Sequence, residues 1–290
     1  MLLVGTKQGL VDLDAGTTLV DGHTVTALVP GSGTWHALLD RQAVIRPDDG
    51  KLMTVGELPA DDAQSLAVLA DGTVVVGRTG ARLAIVGSQV EDISAFEQLP
   101  DRDHWENPAG PTPDTRSIAS SGGDLWVNVH VGGLWHSNDR GQSWHGVIEP
   151  EADIHEVRAE SGSVAVAAAV GFGWSQDGGK SWSWNTEGLH GSYLRAVCID
   201  GETAFVSASD GPFTKRGAVY RTRLGSAFLR CEKGLPRWFT GNVDTGHLDA
   251  VGGRVAIGFG HEIYVSEDNG GSWRANEMAD VITAVRFGHN

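Results

Sequence analysis

One eight-residue pattern constrains this chain more than any other feature. It occurs as Ser137-Asn138-Asp139-Arg140-Gly141-Gln142-Ser143-Trp144, again over Ser175–Trp182, and again over Ser266–Trp273. Each copy reads Ser-x-Asp-x-Gly-x-Ser-Trp. Asp and Ser side chains bond nearby backbone amides and hold a turn. Glycine takes a backbone shape that other residues resist. The tryptophan is an apolar anchor for the strand that follows. Asp139 and Asp177 are 38 residues apart, and Asp177 and Asp268 are 91 apart. The longer gap is two periods of about 45, so a degenerate copy is expected between them. It falls near Arg221–Phe228, with Phe228 where the tryptophan would stand.

The pattern resembles the Asp-box, or BNR, repeat of sialidases, the sortilin ectodomain and photosystem II assembly factors. That resemblance implies a β-propeller in which the box joins the third and fourth strands of a blade, away from the ligand face. Asp139, Gly141, Trp144, Asp177, Gly179, Trp182, Asp268, Gly270 and Trp273 are then structural. Short runs centred on alanine supply the blade count: Val25–Leu28, Ser65–Val68, Ser117–Ala119, Val157–Ala159, Leu194–Val197, Leu248–Val251 and Ile282–Val285. Small residues suit innermost strands near a crowded axis, and seven such strands predict seven four-stranded blades. The last run has no partners after it, and Leu2–Gly5 with Gly9–Leu13 have no inner strand before them. The expectation is one all-β domain over 1–290, a seven-bladed propeller closed by the C-terminal strand joining the N-terminal blade, which removes an open edge.

The resemblance does not extend to sialidase chemistry. Those enzymes use three arginines, a tyrosine nucleophile with a glutamate, and an aspartate. Only three tyrosines occur here, and Ile45-Arg46-Pro47 is displaced from where an Arg-Ile-Pro motif would stand. A shared scaffold carries no activity with it.

A formal net charge of -15 argues against nucleic acid and anionic membrane as partners. The N-terminal run lacks signal-peptide features, and no apolar stretch approaches a membrane span; a cytoplasmic protein is expected. Cys198 and Cys231 should lie on the inner and outer strands of one blade. Three strand spacings of about 4.8 Å exceed disulfide reach, so both should be free thiols.

Propeller ligands meet the face where the loops leading into inner strands converge with those leaving second strands. The first set offers His23, Arg116, His155, Glu156, Tyr193 and His247; the second offers Lys7, Arg78, His130, Asp210 and His261. Imidazole is a common metal ligand and a general base near neutrality. His23, His130, His155 and His247, assisted by Glu156, are therefore candidate ligands for zinc, copper or iron. The alternative is that they line a wet channel or bond loop carbonyls. Two long loops, 101–114 and 236–244, bring Trp105 and Trp238 to the same face, either to stack on a ligand or to pin their own loops. His36 and His136 are expected to pack between blades. Three functions remain open: a module binding a small ligand or metal; a metal-dependent hydrolase or lyase, or a glycan-active enzyme; and an assembly scaffold with a protein partner.

Overall fold

Glycine-punctuated runs of β-branched residues form 28 short strands in the computed structural model, which describes residues 1–31, 33–108 and 110–288. They make seven four-stranded antiparallel sheets arranged as the blades of a propeller. From axis to rim, blade I is Ile282–Phe287, Leu2–Thr6, Gly9–Asp12 and Thr17–Asp21. The C-terminal strand therefore closes the N-terminal blade, with Val4 opposite Val285. Blade II runs Val25–Gly31, Thr34–Leu39, Ala43–Asp48, Lys51–Glu57. Blade III runs Ala63–Val68, Val74–Arg78, Arg82–Val86, Val90–Asp92. Blade IV runs Thr115–Ser121, Asp124–Val129, Gly133–Ser137, His145–Ile148. Blade V runs Ile154–Glu160, Ser163–Ala168, Gly171–Ser175, Ser183–Asn185. Blade VI runs Val197–Asp200, Thr203–Ala208, Ala218–Arg223, Leu229–Arg230. Blade VII runs Leu248–Val251, Arg254–Phe259, Glu262–Ser266, Arg274–Glu277.

The core is divided among the seams between blades. Leu3 and Leu10 of blade I pack with Val25 and Ala37 of blade II. At the closing seam, Ala256 and Ile263 of blade VII pack with Leu2, Val4 and Ile282 of blade I. Each fully buried aliphatic side chain of this kind contributes ~1.5–3 kcal/mol relative to exposure. Cooperativity therefore depends on the ring being closed.

The three boxes fold alike. Ser137 Oγ donates to Asp139 Oδ1 at 2.8 Å and accepts from Gly141 N at 2.8 Å. Asp139 then accepts from Ser143 N at 2.9 Å and from Ser143 Oγ at 2.5 Å. The other two copies repeat this set at Asp177 and Asp268. The hydroxyl and amide of the following serine dominate in holding Asp139 and Asp177 down to about 2, and its hydroxyl leads at Asp268. Gly270 has φ +74, and a Cβ there would come within 2.7 Å of Phe205 of blade VI. The box thus locks its own turn and seats it on the preceding blade. All three join third and fourth strands.

The segment near Arg221–Phe228 falls on the turn between the third and fourth strands of blade VI. Phe228 is buried, and its amide donates to Glu187 O at 2.8 Å, just as the Trp273 amide donates to Lys233 O at 2.9 Å. Thr222 stands in for the first serine but turns its hydroxyl onto Ser226 O at 2.7 Å. One inner strand is displaced from expectation. In blade VI the ladder starts at Val197, not Leu194, because Ser207 Oγ takes the amides of Arg195 and Ala196 at 3.3 and 2.9 Å. Cys198 lies on that inner strand and lines the channel. Cys198 and Cys231 are both buried free thiols.

Candidate functional site

Five inner strands are bulged at the end of the channel facing these loops. The extra residues are Thr283, Thr26, Gln64, Arg116 and His155 in blades I to V. A bulge re-aims the inserted side chain. Here it collects polar groups at the channel mouth, where a cavity of about 280 Å³ is lined by Gln64, Asp114, Arg116, Asp244, Thr245 and His247.

Beside this mouth, blades IV and V bring together His130, Asp153 and His155, whose ligand atoms all lie within 4.8 Å of one another. His130 leaves the second strand of blade IV. Asp153 ends a short 3-10 turn, Pro150–Ala152, at φ 47, a left-handed conformation that aspartate tolerates better than most residues. His155 is the bulge residue of blade V and is fully buried. His130 Nε2 lies 3.6 Å from Asp153 Oδ1, and His155 Nε2 lies 3.5 Å from Asp153 Oδ2. Neither His155 Nε2 nor Asp153 Oδ1 makes a hydrogen bond, although both atoms are buried.

The tautomers follow from the other ring nitrogens. His155 Nδ1 lies 2.6 Å from Leu194 O, which only accepts, so Nδ1 donates. His130 Nδ1 lies 3.2 Å from Asn107 Oδ1 and donates in the same way. With both Nδ1 atoms donating, each Nε2 in the neutral form of its ring presents a lone pair to the carboxylate. Such a gap is balanced by a positive charge within it, a metal ion or a proton on an Nε2. Backbone or carboxamide acceptors on the far nitrogen are the usual support for a metal-bound histidine. The 3.5–3.6 Å separations sit near the ~3.3 Å edge of a tetrahedron drawn with ~2.05 Å bonds to zinc.

The surroundings favour the same state. Burial, and then the nearby Arg116, push His130 down to about 4, so it is neutral at pH 7. Asp114 is raised by burial and sits 3.7 Å from His130 Nδ1, linking the cluster to the cavity. Arg116 donates Nε to His155 O at 3.1 Å and Nη2 to Asp244 Oδ1 at 3.2 Å. Arg195 holds the other Asp244 oxygen at 2.9 Å and bonds Tyr193 Oη, whose ring packs 4.7 Å from that of His155.

The remaining sequence candidates fall elsewhere. His23 is exposed and pairs with Asp40 at 2.6 Å. His247 lines the cavity, with Nδ1 donating to Gly258 O at 3.1 Å, and stands outside the cluster. Glu156 is buried, accepts the amides of Val197 and Gly246, and pairs with Arg158 at 2.7 Å. Arg78 is buried against Asp62 and Asp92. Asp210 pairs with Arg216, and His261 is exposed. Trp105 is buried against Phe96 and Trp135 and pins its own loop, in which Ala109 lies outside the described residues. Trp238 carries Arg230 on its ring at 4.0 Å, with Arg216 at 5.6 Å. His136 stacks on Trp126, its cross-strand neighbour within blade IV and not across a seam, and His36 is buried. Asp153 was missed because its role depends on a 3-10 turn that no spacing rule announces.

No family model matches the chain, and no curated protein matches it. Among solved structures, a GH74 enzyme from Niastella koreensis is similar with a TM-score of 0.63 and 14% identity, over 96% of this chain and 47% of that one. The chain thus spans about half the length of that enzyme. The WD40 β-propeller domain of Doa1 is similar with a TM-score of 0.63 and 12% identity, over 97% of this chain and 87% of that one. YCF48 bound to a D1 peptide has a TM-score of 0.52 and 15% identity, over 76% and 70% of the two chains. Among the described residues, no helix is long and apolar enough to cross a membrane. At such identities the comparisons establish the fold, a β-propeller, and nothing finer.

Proposed function

We propose that this protein binds a divalent transition-metal ion, zinc first and copper or iron next, through His130 Nε2, Asp153 and His155 Nε2, beside a cavity that admits a small ligand. The observation that carries the reading is the convergence of two imidazole Nε2 atoms and a carboxylate in a buried gap, with His155 Nε2 and Asp153 Oδ1 unbonded. Two free thiols suit a reducing, cytoplasmic setting. Isothermal titration with Zn²⁺ on untagged, chelator-stripped protein tests it. One equivalent should bind, and Asp153→Asn and His155→Ala should each weaken binding at least about tenfold. Equal affinity in both variants would overturn the assignment.

A metal-dependent hydrolase or lyase is the second reading. It is favoured by the count of three protein ligands, which leaves a position for water as catalytic sites do. Zinc-dependent turnover of an ester or glycoside panel, lost in His155→Ala, separates it from simple binding.

A further inference from the structure

The opposite end of the channel holds a second cavity of about 190 Å³. All seven blades contribute to it. Its wall is aliphatic, with Val68, Ala119, Ala159 and Ile199 among its residues, and its charged lining is Arg158, Arg286, Asp249 and Glu160. Arg286 is buried; it donates Nη1 to Asp249 Oδ1 at 2.7 Å and Nε to Leu28 O at 3.1 Å. Arg158 pairs through Nη2 with Glu156 at 2.7 Å and donates Nε to Val197 O at 3.2 Å. Arg158 Nη1 and Arg286 Nη2 bond no described residue, and both side chains line the cavity.

We propose that this cavity binds a small aliphatic monocarboxylate, its carboxylate on Arg158 and Arg286 and its tail against the alanine and valine wall. Two guanidiniums stay charged at any working pH. An incoming carboxylate can accept from the guanidinium nitrogens that bond no described residue, in the charge-assisted bonds that arginine makes best. Phosphate and sulfate have no apolar tail for the valine and alanine wall to cover. At ~30 Å³ per water-sized group the volume holds about six heavy atoms, the size of a four-carbon acid.

The probe is sodium butyrate, followed by saturation-transfer NMR and calorimetry on the chelator-treated full chain, which makes the result independent of the metal site. Binding of one equivalent with Kd on the order of 1 mM is expected. 1-Butanol and butylamine should bind at least about tenfold more weakly. Ala159→Leu fills the cavity while leaving both arginines in place, and should abolish binding without changing zinc affinity. Arg158→Gln, which keeps the shape and removes a charge, should weaken butyrate but not zinc. No saturation by 10 mM butyrate, unchanged binding in Ala159→Leu, equal binding of butanol, or equal binding of sulfate would each overturn the proposal.

Discussion

His130 ties the site to a measurable pH dependence. In the folded protein it takes up a proton only near pH 4, driven down first by burial and then by Arg116. In an unfolded chain it does so near 6.5. Between these values the unfolded state binds more protons, so stability is fully present above about pH 6.5 and falls as the pH drops toward 4. The shift corresponds to a loss of about 2.5 kcal/mol by pH 4.5 from this one group. His36, pushed to about 4 mainly by burial, makes a second loss of similar size. Urea unfolding with EDTA present, at pH 7.5 and 4.5, measures the net effect of every group that titrates, from which substitution isolates His130. His130→Gln keeps a polar group of similar reach and cannot titrate. Its loss between the two pH values should be smaller than that of the unsubstituted protein by about 2.5 kcal/mol. Parallel losses in the two proteins would show that His130 is not held neutral in the fold, and the lone-pair argument for a cation would fail with it.

Other consequences are as direct. Gly270→Val combines a positive φ with a Cβ 2.7 Å from Phe205, and should cost about 1–3 kcal/mol in thermal unfolding; Gly178→Ala, with open space around it, should cost less. Truncation after Asp280 removes the inner strand of blade I and exposes the Leu2–Thr6 edge, so near-ultraviolet circular dichroism should show loss of the cooperative fold. Cys198 and Cys231 should resist a thiol reagent in native protein at pH 8 and react in denaturant, because burial raises both and places Cys231 at about 12.

The scaffold was legible because its signals are local. A box fixes its own turn through residues at most seven apart, so three copies gave the period. Alanines on inner strands gave the count. Phe228 could be anticipated because an aromatic anchor needs only bulk at the right spacing. The site was only partly legible because it is assembled by bulges and by seams between blades. His155 reaches His130 because one inserted residue turns it into the gap, while Glu156, its neighbour, is turned into the blade seam and spent on backbone amides. Loop position alone could not separate His23, which pairs with Asp40 at the surface, from His130, which is enclosed. In blade VI, Ser207 takes the amides of Arg195 and Ala196 and delays the ladder to Val197, a tertiary effect absent from any strand pattern.

The histidine–aspartate cluster is best tested by anomalous diffraction at the zinc edge from crystals of zinc-loaded protein. The account predicts a single peak between blades IV and V, bonded to His130 Nε2, His155 Nε2 and an Asp153 oxygen at about 2.0–2.2 Å. No ion in that gap, or an ion bound instead at His23 or His247, would contradict it.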